Sequence, residues 1–580
     1  MALLGHVGRN YLGMDGDGNT RLCMATSVVA HKQSYGFDAP PYTLNDLEIS
    51  DLIIFIGANP VVAHPILWGR VRKNPNPYIV VIDPRKSETA QNANLWLNIK
   101  PKGDLYLLYT LANVLIEKGW IDEAFIEKST EGFEDFKAFV KDYTLEKVEE
   151  MTNISKGQVL ELAELIHTHE KVSLWWTMGV NQSYQAVRTA QAIINIALMT
   201  GNIGKPGTGA NSITGQCNAM GSRMFSNTTG FYGGGEYNDP VRRKRIAEVL
   251  DFPEEQLPTR PSITYDQIVE KMASGEIKGL WVNCTNPRAS WINNDRFRVA
   301  AQKAEFIVVQ DIYDDTDTEQ YADLIMPSTS GLKKEGCLIN TERRVGPIRP
   351  VLPKEENELT DYDIFLGVGE ALGMGHYLDK WRTPRDAFEV IKECSKGMPC
   401  DITGITYDML TDSKGIQWPF REGDTLEDDQ RRLYEDGKFF TQSGKFIFEE
   451  NRPDPVQTSP EYPFFLNTGR GTVGQWHTQT RTREIAYVEA VKVKEAYIQM
   501  NPDKGREMGI YLNDVVTLYS SNGHHADFRV KFSDRLNENE LYAPMHYREA
   551  NFLLPSVYDP YSKEPSFKSA AVRIEKKVIV

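Results

Sequence analysis

Apolar residues in the first third of the chain fall in short unbroken runs rather than in alternation. Asp51-Leu52-Ile53-Ile54-Phe55-Ile56 reads as a buried strand ending at Gly57-Ala58-Asn59-Pro60, and a helix follows from His64 to Arg72. Tyr78-Ile79-Val80-Val81-Ile82 reads as a second strand, ending at Asp83-Pro84-Arg85. Leu95-Trp96-Leu97 leads to Lys100-Pro101-Lys102-Gly103-Asp104 and a helix through Leu115. Strands and helices that alternate in this way predict a parallel sheet covered on both faces. Helical periodicity spans roughly 104–170. A second α/β block begins at Val172-Ser173-Leu174-Trp175-Trp176, and its helix from Val187 to Thr200 stops at Gly201, a left-handed cap. Residues 207–240 are glycine-rich and read as irregular. Leu280-Trp281-Val282 and Phe306-Ile307-Val308-Val309 read as buried strands ending at Cys284-Thr285-Asn286-Pro287 and Gln310-Asp311.

Residues 351–460 are charged and proline-containing, with poor periodicity. They read as a connection with helices, one at 361–372. From Tyr462 the pattern changes. Phe464-Phe465-Leu466, Asp514 to Tyr519, His525 to Phe532 and Ala571 to Ile574 are strands between turn residues, and Phe528, Val530 and Phe532 alternate with polar positions. A small β-barrel or sandwich follows. The expected domains are an α/β unit at 1–172, a second at 173–350, a helical connection at 351–460 and the β-domain at 461–580.

A chain of 580 residues needs about three or four cores. A net charge of -15 argues against nucleic acid, whose phosphates need a basic surface. No run approaches the roughly 18 apolar residues of a membrane span. The start, Met1-Ala2-Leu3-Leu4-Gly5-His6, lacks the regions of a secretory signal. Six cysteines without a CxxC pair suggest neither disulfides nor a zinc or iron–sulfur site, and Cys394 and Cys400 read as free thiols. A cytoplasmic setting is expected.

The loops after the strands carry the candidate chemistry. Glycines let backbone approach a diphosphate. Arg85, Lys100 and Lys102 supply positive charge, and Asp83, Asp104 and Asp311 can accept paired hydrogen bonds from a guanine edge. There is no GxGxxG, P-loop or G-x-S-x-G motif, so nicotinamide binding and serine hydrolysis are not supported. Two blocks of such loops suit a ligand with two long arms.

Five stretches together resemble the molybdopterin oxidoreductases of the dimethyl-sulfoxide-reductase superfamily, above all its assimilatory and periplasmic nitrate reductases. They are Thr20 to Ser27, Trp176 to Gln182, Thr214 to Met220, Lys333 to Gly336, and Asn467 to Arg470 with Gln475 to Thr478. The resemblance implies two doubly wound α/β domains around a cofactor, with a C-terminal double-psi-like barrel. It implies a molybdenum or tungsten bis(molybdopterin guanine dinucleotide) with Cys23 as the metal's thiolate ligand. Met24 follows, where formate dehydrogenases of this resemblance commonly carry histidine. The positions that would touch the cofactor are Asn19, Gly57, Ala58, Asn59, Asp83, Arg85, Gly103, Asp104, Met178, Gln182, Gly215 and Gln216. On the second arm and the barrel they are Asn286, Gln310, Asp311, Lys334, Asp363, Thr468, Gly469, Arg470, Trp476, His477, Thr478, Asn551 and Lys568.

The resemblance implies reduction of nitrate to nitrite by oxygen-atom transfer, with Cys23, Met24, Gln182 and Arg223 as catalytic candidates. Arg188 and Arg223 would attract the anion. Ser183-Tyr184-Gln185-Ala186 looks like the assimilatory branch. The family usually starts with about a hundred residues binding a [4Fe–4S] cluster through four cysteines, and this chain carries none of those ligands. The expected partners are therefore the oxyanion and an electron-donor protein or iron–sulfur subunit. A formate dehydrogenase or other oxyanion reductase, and a non-catalytic or truncated pterin-binding subunit, are the alternative readings.

Overall fold

Strands β1 (Leu52–Ile56) and β2 (Tyr78–Ile82) form where the two apolar runs lie. Both are rich in isoleucine or valine, whose stiff β-branched side chains suit a pleated surface. β3 (Leu95–Leu97) joins them, while the two-residue β4 (Thr130–Glu131) lies outside this sheet. β5 (Val172–Trp176) and β6 (Gly209–Ser212) complete an all-parallel sheet of order β3-β2-β1-β5-β6. Alternate residues fill opposite faces. Leu52, Ile54 and Ile56 join a core with the helices Asp104–Glu117, Lys156–Thr168 and Ala186–Met199. Ile53 and Phe55 pack with Leu67, Val71 and Trp175.

The computed structural model describes residues 1–580 except 428–429, 455–457, 472–476, 481, 483–494 and 578–580.

The sheet corrects the boundary drawn at 172/173. β5 pairs with β1 from Leu52↔Val172 to Ile56↔Trp176, so that boundary falls inside one sheet. An apolar run says that a strand is buried, not which neighbour it pairs with. The stretch at 207–240 is also more ordered than its glycines suggest, since it holds β6 and the helix Ala219–Phe225.

β7 (Gly279–Asn283), β8 (Phe306–Asp311) and β9 (Leu324–Pro327) form a second parallel sheet. Val282, Ile307 and Val309 pack on Ile268, Met272 and Phe297. The other face is covered only in part, with Trp281 edge-on to Phe365 at 5.5 Å, and Phe306 stays 50% exposed. Strands expected to be wholly buried are thus half-covered, because a three-stranded sheet leaves its outer ends open.

β10 (Gly336–Ile339), β11 (Arg344–Ile348) and β12 (Ile416–Gln417) make an antiparallel sheet, and β13 (Phe446–Ile447) pairs with β4. The segment read as a connection is therefore part of the body. Phe388, Trp418, Phe420, Tyr434, Phe439 and Phe446 belong to the same core as β1. Its helices were expected and are present, among them Asp361–Ala371 and Pro384–Ser395. The fully buried Arg343 donates to the carbonyls of Pro40, Tyr42, Trp418 and Arg431, which binds this segment to the N-terminal one.

The C-terminal strands β14 (Phe464–Gly469), β15 (Tyr497–Met500), β16 (Val515–Ser520), β17 (His525–Phe532), β18 (Glu540–Pro544) and β19 (Ala570–Lys576) close into a barrel. Their order is β14-β18-β15-β17-β16-β19. Leu466, Ile498, Val516, Leu518, Phe528, Val530 and Val572 fill it. Closure leaves no free edge. The barrel touches both sheets. Arg85 stacks on Tyr542 at 4.6 Å on one side, and Asn551 Nδ2 donates to Ala289 O at 3.0 Å on the other. Among the described residues no helix is long and apolar enough to cross a membrane.

Candidate active site

The two sheets end in the same local structure. After β1, Gly57 has φ +54, Asn59 has φ -122 and ψ 69, and Pro60 opens the helix Pro60–Ala63. After β7, Cys284 has φ +50, Asn286 has φ -124 and ψ 71, and Pro287 opens the helix Pro287–Ser290. Asn59 Oδ1 accepts from Thr89 N and Oγ1 at 3.1 and 2.8 Å, and Asn286 Oδ1 accepts from Thr318 Oγ1 at 2.8 Å. The next strands end in Asp83, which accepts from Arg85 N at 2.9 Å, and Asp311, which accepts from Ile312 N at 2.7 Å. Each site lies beyond the carboxyl ends of its strands, where open α/β sheets bind ligands. Glycine is required at 57, because a Cβ there would lie 2.8 Å from Gly179 Cα.

Cys23 lies in a turn before a helix, held by residues that follow β5. The 3₁₀ turn Asn19–Leu22 precedes it and the helix Ala25–Tyr35 follows. Asn181 pins the junction. Its Nδ2 donates to Cys23 O at 3.0 Å and Met24 Sδ at 3.2 Å, and its Oδ1 accepts from Ser27 Oγ and Trp176 Nε1, both at 3.1 Å. Gln182 Nε2 donates to Leu22 O at 2.7 Å, and Asn19 bonds Gln216. From the barrel side, Glu564 Oε2 accepts from Thr26 N at 2.9 Å. Burial pushes the Cys23 thiol up to about 12, and the Glu564 carboxylate adds to this; the Gly215 N–H, Arg223 and Arg470 pull the other way. The sulfur is thus held within reach of the Gly215 amide and two guanidinium charges.

Two buried lysines test whether a phosphate-bearing pterin fits. Lys102 (φ +65) and Lys568 lie 6% and 9% exposed, close enough that Lys102 raises the cost of charging Lys568. Burial lowers them to about 8 and about 7. Neither has a carboxylate within ion-pair distance among the described residues, and Lys568 Nζ donates to Thr468 O at 2.7 Å. Burying an unpaired cation is unfavourable unless an anion completes it. Asp83 beside them is pushed up to about 6 by burial. In the second arm the buried Gln310 Oε1 has no partner. Among the described residues no group of three or more His, Cys, Asp or Glu is placed to hold a metal ion. The residues fit a two-armed, phosphate-bearing cofactor.

The remaining expected residues fall as follows. Met178 opens the short helix ending at Asn181, Ala58 is buried, and Gly103 caps the helix that begins at Asp104. Thr468 Oγ1 donates to Phe567 O at 2.6 Å, and Gly469 lies against Tyr542, where a Cβ would meet the hydroxyl at 2.5 Å. His477 O accepts from His546 Nδ1 at 2.6 Å, and Thr478 Oγ1 accepts from Asn286 Nδ2 at 3.3 Å, bringing the barrel to the second arm. Trp476 lies outside the described residues. Asn551 links the barrel to Ala289.

Four of the expected residues make contacts that the sequence reading did not include. Asp363 closes the capping box of the helix Asp361–Ala371 with Thr360 and pairs with Lys354 at 2.7 Å. Its neighbour Asp361 is the carboxylate in the second arm, bonded by Gln310 Nε2 at 2.8 Å and by Lys334, with the Cys284 thiol 3.7 Å away. Two residues on a helix point about 200° apart, which spacing alone did not settle. Arg223 pairs with the buried Asp38 and keeps a shielded Nη1 with no partner, and Arg188 pairs with Glu449 at 3.1 Å while its Nε has none. Met24 is 1% exposed and packs on the Asn181 amide.

Sequence reasoning missed His64, Thr89, Thr318, Asp361 and Glu564. Thr89 and Thr318 stand at matching places in the two repeated loops, 30 and 32 residues after their asparagines, a signal that comparing the blocks would have given. Glu564 is fully buried beside Cys23, with Oε1 unpartnered.

The family model described as "Molybdopterin oxidoreductase" matches residues 3–371, and that for the "Molydopterin dinucleotide binding domain" matches 464–571. A nitrate reductase of Synechocystis sp. is 33% identical over 96% of this chain and 80% of its own length. The F420-dependent formate dehydrogenase subunit alpha of Methanocaldococcus jannaschii is 31% identical over 96% and 81%. The assimilatory nitrate reductase catalytic subunit of Bacillus subtilis is 30% identical over 96% and 79%. Among solved structures, acetylene hydratase from Pelobacter acetylenicus has the same fold, with a TM-score of 0.76 at 15% identity over 99% of this chain and 84% of that one.

Proposed function

Because this chain belongs to the molybdopterin oxidoreductase family, we propose that it reduces nitrate to nitrite at a molybdenum or tungsten centre carried by two molybdopterin guanine dinucleotides. Gly57, Asn59, Asp83, Arg85, Lys102, Asp104 and Lys568 would hold one arm. Asn286, Gln310, Asp311, Lys334 and Asp361 would hold the other. Cys23 would be the protein's ligand to the metal. When bound, that group supplies the two-electron redox chemistry. The chain's own work is to fix the Cys23 loop through Asn181, Gln182 and Glu564, to present positive charge from Arg470, and to exclude bulk water with the barrel. Electrons would arrive from a separate donor protein or iron–sulfur subunit.

The observation that carries nitrate over formate is Met24. A buried thioether follows the metal cysteine, and its one polar contact is the Asn181 amide, so no titratable group stands at that position. The second reading, formate oxidation, is supported by the 31% identity of the formate dehydrogenase subunit named above. Purified protein loaded with molybdenum should reduce nitrate with reduced viologen and should not oxidise formate with a dye. The reverse result selects the second reading. Cys23→Ala should lose all turnover and keep the wild-type circular dichroism, because the loop is held through the Cys23 carbonyl, by Asn181, and not through the sulfur. Undiminished nitrate reduction by that variant removes Cys23 from the metal.

A further inference from the structure

We propose that His64, with Arg470, forms the seat for a small monovalent oxyanion beside the Cys23 sulfur, the imidazole giving an N–H and the guanidinium its charge. The inference rests on the reading of Cys23 as the metal's ligand and of the substrate as an oxyanion. It adds a neutral donor to the charges that Arg223 and Arg470 bring to bear on that sulfur.

The first observation is an unsatisfied ring. Both nitrogens of His64 are shielded from solvent and have no hydrogen-bond partner. Buried polar atoms are seldom left so, because each costs roughly 1–3 kcal/mol unmade. The buried His31 engages Asp38 through Nδ1 and leaves Nε2 unpartnered, and two others use both nitrogens. His6 engages Tyr377 O at 3.1 Å and Asn10 at 3.1 Å, and His546 engages His477 O at 2.6 Å and Gly471 N at 3.0 Å. His64 alone among these lacks a contact for either nitrogen.

The second observation is where the ring lies. His64 sits at the break between the helices Pro60–Ala63 and Pro65–Val71, with φ -139 and ψ 60, and Pro65 fixes the exit. Its Nε2 would stand 3.3 Å from a Cβ on Gly215, so glycine there keeps the way open between the imidazole and the centre. The Gly215 N–H in turn eases ionisation of the Cys23 thiol, which puts it near that sulfur. His64 therefore adjoins the first nucleotide loop on one side and the metal-binding thiol on the other.

The third observation is the charge. Arg470 acts on both His64 and Cys23, and no carboxylate pairs with it among the described residues. Burial, then the Arg470 charge, lowers His64 to about 4, so at neutral pH the ring is uncharged with one donor and one acceptor nitrogen. A guanidinium beside a neutral imidazole gives a planar monoanion several donors and one compensating charge, without the repulsion of two cations.

The test uses the metal-loaded holoenzyme with His64→Ala and His64→Gln, the latter keeping an N–H donor. Molybdenum per chain is measured first. The concentration of nitrate, and separately of azide, that half-shifts the electron paramagnetic resonance signal of the half-reduced centre is measured next, with KM and kcat. The expected result is molybdenum content within twofold of wild type and a half-effect concentration raised tenfold or more in His64→Ala. KM should rise with it, kcat should change less, and His64→Gln should recover part of the loss. An unchanged half-effect concentration overturns the proposal. So does a loss of molybdenum that matches the loss of binding, which would make His64 a cofactor-holding residue. A wild type that binds the anions as described but turns over neither nitrate nor formate defeats the proposed function and leaves the seat standing.

Discussion

Replacing Lys568 by methionine should make the cofactor-free chain more stable and leave it unable to load cofactor. Burial, with Lys102 and Arg470 nearby, lowers this lysine from its ordinary 10.5 to about 7. Its folded value lies below its unfolded value, so the unfolded chain binds more protons between those limits. Stability therefore rises as pH climbs from about 7 to 10.5, and the full destabilisation is present below 7. The difference corresponds to at most roughly 5 kcal/mol. The hydrogen bond to Thr468 O offsets part of it. Exchanges of buried charges for well-packed apolar groups typically gain about 1–4 kcal/mol, and Lys568→Met at pH 7 should fall in that range. The assay is thermal unfolding of metal-free protein at pH 6.5 and pH 9. The variant should melt higher at 6.5, with the gap narrowing at 9. Molybdenum and guanine content of protein grown with molybdate should fall at least tenfold. A variant that melts lower at pH 6.5, or that loads normally, would show that the lysine serves the fold rather than an anion.

Asp361→Asn should lower guanine content several-fold, while Asp363→Asn should cost only a helix cap, roughly 0.5–2 kcal/mol, and load normally; equal loading in both would return the second arm to an open question. Arg343→Met should lower the melting temperature by several degrees, since the buried Pro40 and Trp418 carbonyls lose this donor at about 1–3 kcal/mol each before relaxation; an unchanged melting curve contradicts its role as a tie. Burial raises the Asp38 carboxyl, but Arg223 and His31 outweigh this and hold it well below the usual carboxylate range. Its stabilisation is thus present above about pH 4 and lost as pH falls further. Asp38→Asn should be less stable than wild type at pH 7 and should flatten the acid limb of a pH–stability curve; parallel limbs would refute the pairing.

The repeated strand–turn blocks were legible because two signals coincide there, an apolar run and a turn former that ends it. Gly57 and Cys284 were placed at strand ends from sequence, and both take left-handed backbone. The role of Cys23 was legible only through resemblance, since a lone cysteine carries no spacing. The pairing of Arg223 with Asp38 was not legible because the two lie 185 residues apart, and no local pattern reports so distant a carboxylate. The aromatic residues of 388–448 looked like part of a linker because their burial follows contacts with the N-terminal third, not a helical or strand period. Asp361 and Asp363 differ by two positions and by opposite sides of one helix turn, which only the capping box resolves.

The barrel has a contact with each half of the body. Arg85 on Tyr542 and Asn551 on Ala289 latch it across the gap between the two troughs. A guest with an arm in each trough would therefore be covered by one and the same unit, whichever arm is seated first.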